Sequence, residues 1–212
     1  MAMISNTTPY EPAFEPVGHV YHAPDGRRLD SVTQILKAEL GLWKYGTCDA
    51  AERGTRVHLA CQYLDENRLD WKTVSGIDGP YVKTYEKFKA ETDYKVLACE
   101  LRRYHPVYLY AGTIDRLCEI AGKPVLMDLK TGASEHSYQW QLAAYLKLIE
   151  VESRRKWRRA CLYLKPEGYK LVYHDGASDW TEFLALYSAH NVKASYGYWK
   201  PEKEKYDPNY DN

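Results

Sequence analysis

Phenylalanine and methionine are scarce, with 3 of each beside 20 Tyr and 6 Trp. The aromatic content is therefore carried by rings with a polar handle, which serve as core residues or as half-wet contact groups. The five cysteines, Cys48, Cys61, Cys99, Cys118 and Cys161, are odd in number and contain no C-x-x-C pair. That spacing argues against a disulfide framework and against zinc or redox motifs, and leaves reduced, mostly buried thiols. Charge of one sign is also missing, since Lys plus Arg equal Asp plus Glu at 29 each. A site for a polyanion must then be a local patch, because no global field attracts one. No stretch approaches the roughly 20 apolar residues of a membrane span. The opening MAMISNTTPYEPAFEP lacks a basic region followed by an apolar run, so no secretory leader is expected and a cytoplasmic location is.

What is present suits one globular domain of 212 residues, 45% hydrophobic and 27% charged. Pro9, Pro12, Pro16 and Pro24 mark residues 1–28 as an extended arm, and residues 197–212 read as a polar tail. The domain between them, 29–196, opens with Ser31-Val32-Thr33, a hydroxyl cap for a helix through Leu40. Helical spacing of Val57, Cys61 and Leu64 predicts a helix over 49–64, and Tyr81, Tyr85 and Phe88 predict another over 80–91. Strand patterns follow at 96–104, 108–120 and 124–129, separated by Pro106 and the Ala121-Gly122-Lys123-Pro124 turn. A loop over 131–137 leads to a helix over 138–150 with a Leu142, Leu146, Ile149 stripe. Strands at 160–164 and 169–174 and a helix over 178–195 close the domain. The expected class is α/β, a central mixed sheet of about five strands flanked by helices, with a helical N-terminal segment.

The chemistry-bearing residues lie in the middle strands. Gly112-Thr113-Ile114-Asp115 sits in one strand and Asp128-Leu129-Lys130 ends the next. Because side chains alternate faces, Asp128 and Lys130 project together while Leu129 turns inward. Two carboxylates converging from adjacent strands make an oxygen-rich site suited to Mg²⁺ or Mn²⁺, with the Leu129 carbonyl available to complete the shell. Such an ion activates water and offsets the negative charge of a phosphodiester, and Lys130 beside it can orient that water and stabilise charge developing at the phosphate. Asp70-Trp71-Lys72 and Asp93-Tyr94-Lys95 repeat the Asp-x-Lys spacing without the preceding Gly-x-x-Asp strand and read as surface charge.

The run Gly112-Thr113-Ile114-Asp115, Asp128-Leu129-Lys130-Thr131-Gly132, Gln141-Leu142-Ala143-Ala144-Tyr145 resembles the RecB-like branch of the PD-(D/E)XK nucleases over roughly residues 31–165. In that branch a histidine in a Gly-x-x-x-His helix, a strand glutamate, the Asp and Asp/Glu-x-Lys pair and a Gln-x-x-x-Tyr helix occur in order. His58, Glu100, Asp115, Asp128, Lys130, Gln141 and Tyr145 fit those places. Ser31-Val32-Thr33-Gln34-Ile35-Leu36 also resembles the opening of phage-borne exonucleases of the branch. The resemblance implies a restriction-endonuclease-like core and one or two metal ions held by Asp115 and Asp128, with His58 and Glu100 adding ligands or support. It also implies that Gln141 and Tyr145 position Lys130 and the DNA backbone. Some relatives bind an iron–sulfur cluster through four cysteines, but only Cys161 follows the Tyr145 motif here, so no cluster is expected.

The implied activity is a DNA exonuclease of phage or prophage type acting in recombination, repair or processing in a bacterial host cytoplasm. An endonuclease with the same site and a catalytically silent DNA-binding or inhibitory module are the alternatives. DNA is the implied partner, and the reading leaves room for a homo-oligomer and a single-strand annealing protein. The run Arg154-Arg155-Lys156-Trp157-Arg158-Arg159 reads either as a phosphate-tracking patch with an interleaved aromatic or as a solvated linker. Bland readings exist for each site residue: a satisfied structural carboxylate at Asp115, a strand-end salt bridge at Asp128 and Lys130, a core histidine at His58, and sheet-capping hydrogen bonds at Gln141 and Tyr145.

Overall fold

The computed structural model describes residues 9–41 and 48–198. The expectations for residues 1–8, for the Cys48 side chain and for the tail from 199 onward lie outside the described residues. Eight strands and five α-helices are described: β1 Ala13–Glu15, β2 Val20–His22, β3 Arg28–Ser31, α1 Val32–Leu40, α2 Cys48–Asp65, α3 Gly79–Glu91, β4 Tyr94–Tyr104, β5 Tyr110–Ile120, β6 Lys123–Lys130, α4 Ser137–Glu150, β7 Arg158–Lys165, β8 Gly168–Tyr173 and α5 Asp179–Ser195. The class is α/β with a mixed sheet flanked by helices, as expected, but the sheet is larger than five strands.

The extra strands come from the N-terminal segment. Residues expected as an extended arm form β1 and β2, which pair antiparallel, and β2 pairs with β3, which joins β5 in parallel. These strands are three or four residues long, too short for a period-2 signal beside so many prolines. Burial holds them in place, with Tyr21, Leu29 and Ala111 packed in one cluster. At the start of α1 the Ser31 Oγ accepts from Gln34 N at 3.2 Å and Gln34 Oε1 accepts from Ser31 N at 2.8 Å. That reciprocal capping box satisfies two otherwise orphaned donors.

The sheet runs β1-β2-β3-β5-β6-β7-β8, with β4 also pairing β5. β5 and β6 form a hairpin through Ala121 and Gly122, whose φ values of 50° and 72° give the mirror-image turn that matches strand twist. Parallel β6 and β7 need a crossover, which α4 supplies. One core lies under α1, α4 and α5 and includes Ile35, Ile114, Leu142, Leu148 and Phe183; the other lies under α2 and α3 and includes Val57, Val82, Phe88, Met127 and Leu162. The α3 stripe is Val82, Tyr85 and Phe88, while Tyr81 sits at its edge beneath the Arg53 guanidinium, 5.2 Å from the ring centre. On α4 the buried stripe is broader than expected, taking in Gln141, Tyr145 and Leu148, while Leu146 is only partly buried. Among the described residues no helix is long and apolar enough to cross a membrane.

The β5–β6 ladder runs from Ile120↔Lys123 only to Arg116↔Met127. Beyond that point β5 turns to β3 through Tyr110 and Ala111, while β6 stays with β7 as far as Lys130↔Tyr163. The two central strands thus fork between Asp115 and Asp128.

Candidate active site

The fork leaves backbone groups without a ladder partner, and Asp115 fills the gap. Its Oδ2 accepts from Leu129 N at 2.8 Å, so one carboxylate ties the open strands together. Asp115 and Asp128 are both buried, at 9% and 2% exposure.

On the far side of the fork Lys130 Nζ lies 2.6 Å from Asp128 Oδ2 and donates to Gln141 Oε1 at 3.2 Å. Gln141 Nε2 donates back to Asp128 Oδ1 at 3.2 Å and to the Tyr145 hydroxyl at 3.1 Å. A single amide therefore orients both charged groups, and the i,i+4 spacing of Gln141 and Tyr145 on α4 puts both on the same patch. Tyr145 fits over β5 because position 112 is glycine: a Cβ there would lie 2.6 Å from Tyr145 Cε1. Gln139, a competing polar residue, turns away to His136, with 3.0 Å between Nε2 atoms.

His58, on α2, brings Nδ1 to 3.4 Å from Asp115 Oδ2. Glu100 reaches the same point from β4, and one ligand atom from each of His58, Glu100 and Asp115 lies within 4.8 Å of the others. Glu100 adopts φ 48°, a left-handed conformation costing a non-glycine residue about 1–2 kcal/mol. The β4–β5 register steps from Cys99↔Arg116 to Leu101↔Ile114 without a bridge at Glu100. Backbone strain of this kind concentrates where function requires it.

The electrostatics favour a cation. Burial, then the charge on Asp115, pushes the Glu100 carboxyl up to about 7. Asp128 is pushed up to about 6 by burial, with Asp115 adding to the rise against the pull of Lys130. Burial would lower Lys130, but Asp128 and Asp115 outweigh it and hold the ammonium above its ordinary value. Asp128 Oδ2, beside Lys130, is buried yet meets no hydrogen-bond geometry. Crowded carboxylates with a lone pair to spare and one imidazole at the rim fit a hard divalent cation.

Sequence reasoning passed over Tyr138, whose ring centre lies 4.2 Å from Lys130 Nζ. Its i,i+3 spacing to Gln141 was the available signal. The basic run is not brought to the site. Arg158 aligns with Val125 and the site with Lys130, five residues along the strand, or roughly 17 Å. Arg155 pairs with Glu119, Arg158 with Asp175 at 2.7 Å, and the buried Arg159 with Asp179 at 2.9 Å, leaving Arg154 and Lys156 exposed. Asp70 caps the short 3-10 turn Trp71–Thr73 by accepting from Lys72 N at 3.0 Å, consistent with surface charge.

No curated protein matches this sequence. Among solved structures it is similar to the crystal structure of a "Putative exonuclease" from Eubacterium rectale, at 12% identity and a TM-score of 0.48, over 78% of this chain and 74% of that one. The family model described as the PD-(D/E)XK nuclease superfamily matches residues 77–203. That span is more than half of the chain and contains Glu100, Asp115, Asp128, Lys130, Gln141 and Tyr145, so this protein belongs to the PD-(D/E)XK nuclease superfamily.

Proposed function

We infer that this chain is a divalent-metal-dependent DNA exonuclease of phage or prophage type, acting in recombination, repair or processing in a bacterial host cytoplasm. The observation that carries the reading is the fork between β5 and β6, where Asp115, Asp128 and Lys130 meet His58, Glu100, Gln141 and Tyr145. The exonuclease preference is supported by the resemblance of residues 31–36 to the opening of phage-borne exonucleases.

Asp115, Asp128, His58, Glu100 and the Leu129 carbonyl would hold one or two Mg²⁺ or Mn²⁺ ions. Such an ion supplies Lewis acidity and offsets phosphate charge. The chain's own groups do the rest. Lys130, kept cationic by its carboxylate neighbours, stabilises negative charge developing at the phosphate. Gln141 holds Lys130 and Asp128 at fixed separation, and Tyr145 holds Gln141. Burial of Asp128 and partial burial of Lys130 strengthen each interaction by limiting water. DNA is the partner; self-association and an annealing protein belong to the same reading.

The test is incubation of the purified chain with end-labelled linear duplex and with closed circular DNA in Mg²⁺, Mn²⁺ or EDTA, alongside Asp128→Ala and Lys130→Ala. Nucleotides released from linear DNA only, with metal only, and in neither variant, are the expected result. Nicking of circles reassigns the chain as an endonuclease, and binding without cleavage makes it a silent DNA-binding module.

A further inference from the structure

Behind the metal-ligand group lies a second charged cluster. Arg116 directly follows Asp115, and its side chain is 0% exposed, as is that of Asp65, the last residue of α2. Arg116 Nη1 donates to the Asp115 carbonyl at 2.6 Å and to Glu100 Oε1 at 3.2 Å, while Nε donates to Asp65 Oδ2 at 2.7 Å. Asp65 is itself held by the Tyr85 hydroxyl at 2.7 Å and by Lys89 Nζ at 2.8 Å. Within the His58, Glu100 and Asp115 group, one guanidinium therefore touches two members and is tied to the helix that carries the third, His58, seven residues before Asp65. Stability alone does not explain it, because well-packed apolar side chains fill such a space without the cost of desolvating charges. Arg116 Nη2 is buried with no hydrogen-bond partner, a further cost. The planar fork of arginine holds several acceptors in fixed relation, which the flexible point charge of lysine cannot do.

We propose that Arg116, clamped by Asp65, is a positioning residue for the metal group, fixing the Glu100 carboxylate and the Asp115 main chain against α2. The proposal rests on the metal-site reading above. The test titrates Mn²⁺ into the full chain by calorimetry for wild type, Arg116→Lys and Arg103→Lys, with melting curves and the Mn²⁺ concentration for half-maximal cleavage measured in parallel. Arg103 is the matched control: its side chain is 0% exposed, pairs with Glu152 at 2.6 Å and donates to the Arg102 carbonyl at 2.8 Å. Arg116→Lys is expected to weaken Mn²⁺ binding about 10- to 100-fold, the usual consequence of losing a partner that orients a ligand. Its cleavage should recover as Mn²⁺ is raised to saturation. Arg103→Lys should melt earlier with unchanged Mn²⁺ affinity. Unchanged affinity in Arg116→Lys, or equal weakening in both variants, overturns the positioning role alone. Failure of the wild type to bind Mn²⁺ overturns the metal-site reading and this proposal with it. If Arg116→Lys gives no cooperative melt, Tyr85→Phe removes one anchor of Asp65 without stranding a charge; weakened Mn²⁺ binding then supports the proposal and unchanged binding overturns it.

Discussion

Replacing Glu100 by glutamine should stabilise the metal-free protein by an amount that grows as pH rises from about 4.5 to about 7 and then levels off. The Glu100 carboxyl rises from an ordinary 4.5 to about 7 through burial and the charge of Asp115. The folded state therefore binds more protons than the unfolded state between those two values, and stability falls as pH rises through that window. Below about 4.5 both states are protonated and no penalty exists; above about 7 the whole penalty is present. A rise of that size corresponds to about 3 kcal/mol at about 1.4 kcal/mol per pH unit. The Glu100 side chain is 30% exposed, so solvent screening trims this to about 2 kcal/mol. Glutamine carries no charge and can still accept from Arg116, so Glu100→Gln should escape the penalty. For a chain of this size about 2 kcal/mol raises Tm by about 4–8 °C. The assay is thermal unfolding of both proteins in EDTA at pH 5 and pH 8, then with Mn²⁺. The variant should melt only slightly above wild type at pH 5, clearly higher at pH 8 in EDTA, and lose that advantage when Mn²⁺ stabilises the wild type by mass action. A variant that melts below wild type at pH 8 in EDTA, or a difference that ignores pH, refutes the reasoning.

Three further outcomes follow from the geometry. Gly112→Ala would place a Cβ 2.6 Å from Tyr145 Cε1; such overpacking costs about 1–3 kcal/mol, and displacement of Tyr145 and Gln141 should cut cleavage more than the fall in melting temperature explains. Ser31→Ala removes the α1 capping box and should cost about 1 kcal/mol by denaturant titration, with specific activity of the folded protein unchanged. Tyr138→Phe keeps a ring over Lys130 and should retain cleavage, whereas Tyr138→Ala should lower kcat by loosening the ammonium; equal activity of the two variants would show that the ring does not hold Lys130.

The sequence alone determined whatever depends on near neighbours. Helices and strands between residues 31 and 195 appear within a few residues of their predicted places, because the 3.6 and 2.0 periodicities are local properties of the chain. The same locality placed Asp128 and Lys130 on one side of β6 and Gln141 and Tyr145 on one side of α4. The order of motifs, read through a family resemblance, nominated His58 and Glu100, which periodicity could not. Tertiary structure decided the rest. β3 exists as a strand because distant β5 gives it a partner, and β1 and β2 are added beside it where Tyr21 buries against Leu29 of β3 and Ala111 of β5. The fork that joins Asp115 to Leu129, the left-handed turn at Glu100 and the Asp65–Arg116 clamp all join residues set by packing, and Asp65 and Arg116 stand 51 positions apart. The basic run could be read either as a phosphate-tracking patch or as a solvated linker, and the ion pairs of Arg155, Arg158 and Arg159 with Glu119, Asp175 and Asp179 were not legible because those partners lie on other elements. A charge pattern reveals which groups a chain owns, but only folding decides which opposite charges reach them and which are left to meet a ligand.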